Sequence, residues 1–328
     1  MRPFDYASPK TKQQAVAMLG KDWSVAVLAG GTDLIALMKD EVVTPKRLIN
    51  VKDIPDLHAV KSVKGNTVVG AMKTLGELAE VPGWDKQYPI LHEALSDAAS
   101  PQIRNVATLG GNLCQRPRCW YFRNGLGLVP KDANGESLVL KGDNRYHAIL
   151  GNDGPAYFVS PSTIVPVLVA YGATVRILGA SGAREVELEK FYRIPTSEQA
   201  REYDLAPNEI VTEVVIPSAT GVKTGYYEVR QREAFDWPLA LAAVALKMSG
   251  SKVQTARVVL GYVAPVPWLS PEAAQTLQGQ PVNEESAQKA AEAALQRATP
   301  LSSNGYKVQL ARVALKRAIL KAAHGGAA

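Results

Sequence analysis

Two glycine pairs, Gly30-Gly31 and Gly110-Gly111, stand eighty positions apart in the chain, each just after an apolar run. The first lies in Ala29-Gly30-Gly31-Thr32-Asp33-Leu34, after Val25 to Leu28; the second lies in Thr108-Leu109-Gly110-Gly111-Asn112, after Val106-Ala107. A glycine pair lets a backbone approach a ligand with no Cβ in the way. Thr32 and Asp33 occupy positions where a helix would begin, and the exposed amides and positive end of a helix favour phosphate there. The second turn shows no clear helix after it and reads as a nest of backbone donors, with Thr108 and Asn112 offering side-chain hydrogen bonds. Either turn alone also reads as an ordinary loop; as a pair they can hold one diphosphate between them. Neither is a G-x-G-x-x-G or P-loop motif, so a Rossmann dinucleotide site and a phosphate-transfer site lack support.

With 328 residues, 46% hydrophobic and 21% charged, the chain can bury a large core and is expected to form two domains. No apolar run approaches the ~20 residues that span a bilayer, and Met1-Arg2-Pro3-Phe4-Asp5-Tyr6 is not a signal-peptide start. A soluble, cytoplasmic chain is therefore the default expectation. The net charge of +6 comes partly from Lys307, Arg312, Lys316, Arg317 and Lys321 on a late helix and partly from Arg116, Arg118 and Arg123. These charges are not interleaved with an aromatic stacking platform, so a solvated face or a docking surface for an acidic partner is expected, and no nucleic acid. Two cysteines exclude a disulfide scaffold, and His58, His92, His147 and His324 form no metal-ligand pair. A nucleophile elbow is absent, and neither a metal site nor a catalytic acid or base is assigned.

The pattern predicts strands over 25–28, 47–51 and 67–71, a capping box at Thr74-Leu75-Gly76-Glu77, and a helix from about Tyr88 to Ser100. Residues 124–155 turn polar and glycine-rich and read as a long surface excursion. A strand over 156–160, a short helix over 162–171, a hairpin of 173–178 with 185–188, and a strand over 209–216 follow. Three strands, 226–229, 240–248 and 253–263, suggest an antiparallel sheet, and helices over 271–278, 284–298 and 303–323 close the chain. The domain boundary is placed near 220, giving domains 1–220 and 221–328.

The combination Leu28-Ala29-Gly30-Gly31-Thr32-Asp33-Leu34 with Gln102-Ile103-Arg104-Asn105-Val106-Ala107-Thr108-Leu109-Gly110-Gly111-Asn112-Leu113 resembles the FAD-binding medium subunit of the molybdenum hydroxylases, the xanthine dehydrogenase family. The resemblance covers essentially the whole chain. It implies an α+β fold: a two-part FAD-binding domain of the vanillyl-alcohol-oxidase (PCMH) type, then a C-terminal antiparallel sheet with helices, like that of the CO dehydrogenase flavoprotein. It further implies non-covalent FAD, with Val27, Leu28, Ala29, Gly30, Gly31, Thr32, Asp33 and Leu34 wrapping the pyrophosphate from one side and Thr108, Gly110, Gly111 and Asn112 from the other. Ala98 and Val211 fall at apolar positions lining the cofactor, Thr163 stands where relatives carry an aspartate, and Tyr192, after Phe191, belongs to a region that approaches the flavin ring. Glu228 replaces a lysine of several relatives, and Trp237 lies in a segment near the flavin edge. The implied role is electron transfer from a molybdenum-cofactor large subunit, through a [2Fe-2S] small subunit, to an external acceptor. Export would follow only from co-export with a partner to the periplasm. Two alternatives stay open: a self-contained flavin oxidase or reductase of the same FAD-domain type, and a non-catalytic nucleotide-binding scaffold.

The segment Asn112-Leu113-Cys114-Gln115-Arg116-Pro117-Arg118-Cys119-Trp120-Tyr121-Phe122-Arg123 resembles the aldehyde oxidoreductase and hydroxybenzoyl-CoA reductase branch, whose medium subunit holds an extra [4Fe-4S] cluster. Such a cluster takes four thiolates. Cys114 and Cys119 are the only cysteines, and the loop 124–155 contributes none. A loop kept without its cluster is expected, with both thiols packing as small apolar groups and His147 as a plain surface residue.

Overall fold

The computed structural model describes residues 1–231 and 236–324. A three-stranded parallel sheet, order β1-β3-β2, is formed by β1 (Asp5–Ala7), β2 (Val25–Leu28) and β3 (Arg47–Asn50). Beside it lies a five-stranded antiparallel sheet, order β4-β5-β8-β6-β7, of β4 (Val60–Val63), β5 (Asn66–Gly70), β6 (Thr174–Gly179), β7 (Gly182–Glu187) and β8 (Glu209–Ile216). The third sheet is antiparallel, order β12-β11-β10-β9, of β9 (Val222–Arg230), β10 (Pro238–Ser249), β11 (Lys252–Gly261) and β12 (Trp268–Leu269).

The near-continuous apolar run of β10 has a cause: both of its faces are covered. Successive strand side chains point to opposite faces. Ala240, Ala242, Val244 and Leu246 pack into a core with the helices Pro271–Leu277, Glu284–Leu295 and Tyr306–His324, while Leu241, Ala243 and Ala245 enter a different core shared with Leu95, Val167 and Val214. β10 thus welds the helical end to the five-stranded sheet. A smaller core joins the parallel sheet to the rest through Ile49, Val51, Leu57, Met72 and Ile210.

Three local expectations are corrected. Residues 156–160 form no strand; Tyr157 O accepts from Ala148 N and Ser160 N donates to Ala264 O. The helix expected from Tyr88 runs Pro89–Asp97, because Ala99 takes a φ of 51° and Ser100 caps a separate turn, Pro101–Arg104. The segment 124–155 is no simple surface excursion. It contains a helical turn, Leu138–Lys141, and buries Asn144, His147, Ala148, Ile149, Leu150 and Asn152. Ile149 and Leu150 donate to Val263 O at 2.8 and 3.0 Å, and Asn304 Nδ2 donates to His147 O and Ala148 O, both at 3.1 Å. Buried backbone needs partners; here they come from the far end of the chain.

Candidate functional site

The two glycine turns meet. A Cβ built on Gly30 would lie 2.0 Å from Val106 O and 3.3 Å from Ala107 Cα, so only glycine lets these strands of backbone touch. Gly110 sits equally close to the end of β5: its amide donates to Ala71 O at 2.8 Å, and a Cβ would stand 2.9 Å from Ala71 Cβ. Leu109 donates to Lys73 O at 2.8 Å and Leu75 to Ala107 O at 2.9 Å, which stitches the second turn to the capping box that Thr74 and Glu77 form.

Between the turns opens a cleft of about 220 Å³. Val27, Ala29, Gly30, Gly31, Thr32, Asp33 and Leu34 line one side, and Thr108, Gly110 and Gly111 the other, with Val211 also in the wall. The two turns present different chemistry. Among the described residues, the amides of Gly30, Gly31, Thr32 and Asp33 donate to no protein acceptor. In contrast, the expected nest of donors at the second turn is a short helix, Leu109–Leu113, in which the Thr108 hydroxyl accepts from Gly111 N at 3.1 Å and Asn112 N donates to Thr108 O at 2.8 Å. Its amides are already used. The second turn therefore acts as a close wall, and the first supplies free donors.

Five expected residues lie outside the lining of the cleft. Leu28 packs over Gly31, and Ala98 is buried in the main core. Asn112 Oδ1 accepts from Ser162 Oγ at 2.6 Å, Thr163 Oγ1 bonds Tyr262 Oη at 2.7 Å, and Tyr192 Oη donates to Leu113 O at 2.9 Å. Glu228 takes a hydrogen bond from Tyr226 and pairs with Arg230, its carboxyl raised by burial. Sequence reasoning missed Trp23, Arg116, Arg201, Tyr203 and Leu205, which complete the cleft. Arg201 lies 4.0 Å over the Trp23 ring, and Tyr203 pairs with Tyr192 across a strand bridge. No sequence signal joins segments so far apart.

Asp33 does not cap its helix. Its carboxylate accepts from Arg116 N at 2.8 Å and from Arg123 Nη2 at 2.7 Å, and it pairs with Arg118 at 3.1 Å. Arg116 in turn pairs with buried Glu202 at 2.7 Å, whose carboxyl burial pushes up. The segment 116–123 is thus tied inward, a correction to its reading as an open docking stripe. It fastens the loop that follows the second turn onto the first turn.

Cys114 lines the cleft, its thiol pushed up to about 12 by burial. Cys119 Sγ lies 3.2 Å from His147 Nε2, and burial raises this thiol too. His147 is not a surface residue: it is 3% exposed, and burial lowers it to about 4. None of His58, His92 and His147 lines the cleft, and no group of three or more His, Cys, Asp or Glu residues among the described ones could hold a metal.

Residues 2–219 match the family model of the FAD binding domain in molybdopterin dehydrogenase, and residues 225–322 match that of the CO dehydrogenase flavoprotein C-terminal domain. The chain belongs to this flavoprotein family. It is 31% identical to the aldehyde oxidoreductase FAD-binding subunit PaoB of Escherichia coli, over 98% of this chain and 99% of that one. To the carbon monoxide dehydrogenase medium chain of Afipia carboxidovorans it is 32% identical, over 97% and 96%. Reconstituted CO dehydrogenase from Oligotropha carboxidovorans superposes with a TM-score of 0.77 at 28% identity, covering 99% of this chain and all of that one. The flavoprotein is accordingly an FAD-dependent oxidoreductase subunit with the two-part FAD fold followed by an antiparallel sheet and helices. No described helix is long and apolar enough to cross a membrane.

Proposed function

We propose that this flavoprotein is the electron-transfer subunit of a heteromeric molybdenum hydroxylase, receiving electrons from a molybdenum-cofactor large subunit through a [2Fe-2S] small subunit and passing them to an external acceptor. One observation supports it most: two family motifs face each other across one cleft, and one of them offers four backbone N–H groups that donate to no acceptor among the described residues. The residues fit FAD. The amides of Gly30 to Asp33 would donate to its pyrophosphate, with Thr108, Gly110 and Gly111 closing the opposite wall. Bound FAD supplies the redox chemistry itself; the protein supplies binding, orientation and electrostatics. Asp33, held by Arg116, Arg118 and Arg123, fixes the angle between the first turn and the loop after the second. Among the described residues no histidine lines the cleft, in keeping with the non-covalent binding proposed.

The proposed division is a FAD-binding domain over 1–220, carrying the insertion 124–155, and a C-terminal domain over 221–328. Co-expression with the genes adjacent to its own tests the assignment: the flavoprotein should co-purify with molybdenum and [2Fe-2S] subunits. Full activity of the isolated chain on an organic substrate would instead establish a self-contained oxidase.

A further inference from the structure

Four charged residues line the cleft: Asp33, Arg116, Arg201 and Glu209. Three have partners within the chain. Asp33 is claimed by the amide of Arg116 and by the guanidinium groups of Arg118 and Arg123, Glu209 pairs with Arg184 at 2.8 Å, and Arg201 lies over the Trp23 ring. Arg116 is different. Its Nε donates to Glu202 Oε1 at 2.7 Å, and its guanidinium lies 4.8 Å over the Phe122 ring. Its terminal nitrogens, Nη1 and Nη2, donate to no acceptor among the described residues, and neither is sealed from solvent. Four of its five N–H donors are thus unspent.

The backbone places this group beside the free amides. Arg116 N donates to Asp33 Oδ2 at 2.8 Å, and Asp33 ends the run from Gly30 whose amides donate to no protein acceptor among the described residues. The ion pair that holds Arg116 is a costly one: Glu202 is 4% exposed, and its Oε2 has no hydrogen-bond partner. Taking both charges out of water offsets most of their attraction, so stability alone does not account for the pair. Around the first turn two carboxylates, Asp33 and Glu202, face three guanidinium groups, Arg116, Arg118 and Arg123, which leaves one positive charge over.

We propose that Arg116 is the cationic partner of the FAD diphosphate, its terminal nitrogens donating to phosphate oxygens alongside the amides of Gly30 to Asp33, and that Glu202 is the residue that positions it. This rests on the FAD reading above and adds to it a side-chain charge that the glycine turns cannot supply. The planar fork of a guanidinium matches two phosphate oxygens, and such bonds are charge-assisted on both sides. Glu202 takes only the Nε edge, which leaves the outer edge of the fork for the ligand.

Titration of the flavin-free full-length chain with FAD, followed by flavin fluorescence at rising KCl, tests it. The double variant Arg116→Gln/Glu202→Gln removes one charge of each sign, so the net charge is kept and no carboxylate is left buried without its partner. Its FAD affinity should fall about tenfold or more and depend less steeply on KCl, because a salt-sensitive contact is gone. Glu202→Gln alone, whose amide oxygen still accepts from Arg116 Nε, should bind FAD as tightly as the wild type. Arg116→Lys keeps the charge and the ion pair; one ammonium cannot serve Glu202 and a phosphate together, so FAD should weaken about fivefold or more. The proposal is overturned if Arg116→Lys and the double variant both bind FAD like the wild type. It is equally overturned by a loss of affinity that leaves the KCl dependence unchanged, which would make Arg116 a prop of the loop. A wild-type chain that takes up no FAD would instead refute the cofactor reading itself.

Discussion

Gly30→Ala separates the two duties of the glycine turns. The added methyl would sit 2.0 Å from Val106 O, and the atoms it meets are all backbone. Ordinary contact needs about 3.5 Å, so the two segments must part by about 1.5 Å. Overpacking of this kind costs about 1–3 kcal/mol, and the upper end applies because no flexible side chain can swing aside. For a unit of this size that lowers Tm by about 5–10 °C. Gly111→Val is the control. A Cβ there meets only Thr108 Oγ1, at 3.0 Å, so the branched side chain enters the cleft without forcing the turns apart. Its Tm should stay close to wild type while FAD binding weakens tenfold or more, the loss of about one charge-assisted hydrogen bond. Calorimetric melting together with flavin content per chain reads both effects. A Gly30→Ala protein that melts like wild type with full flavin content refutes the contact between the turns.

Asp33→Asn should lower stability by about 3 kcal/mol in chemical denaturation and reduce FAD retention, because three arginine groups lose a partly buried carboxylate; equal stability would show that the cluster contributes nothing. Cys114 and Cys119, both held protonated by burial, should react with a thiol reagent at pH 8 only as the chain unfolds, and Cys114→Ser and Cys119→Ser should leave flavin content unchanged with no iron in any variant. Stoichiometric iron and sulfide lost in either serine variant would contradict that. His147 titrates near 4 when folded and near 6.5 when unfolded, so the unfolded chain binds the extra proton between these values and stability falls as pH drops through that window. His147→Gln should flatten the decline, measured by urea midpoints across the window, and an unchanged slope would count against a neutral buried imidazole.

The sequence made the glycine turns, the Thr74-Glu77 capping box and most strands of the two larger sheets readable, because each is written in neighbouring residues; the edge strands β4 and β12 escaped it. What it concealed was set by distant contacts. Gly110 and Gly111 are poor helix formers, yet Leu109–Leu113 is helical because Thr108 caps it and Lys73 and Ala71 hold its first amides. The glycine-rich insertion looked solvated because its partners, Thr299 and Asn304, lie about 150 positions on. Asp33 looked like a helix cap; the arginines that claim its carboxylate lie 83 to 90 positions away. The mouth of the cleft is assembled from Trp23 and Arg201, which no local pattern connects.

The central claim is that this flavoprotein relays electrons that its partners extract. Anaerobic stopped-flow absorbance of the bound flavin, with an oxidisable aldehyde or purine, compares the isolated chain with the assembled complex. The account predicts an oxidised flavin that stays oxidised in the isolated chain and bleaches rapidly in the complex. Rapid bleaching in the chain alone would contradict it.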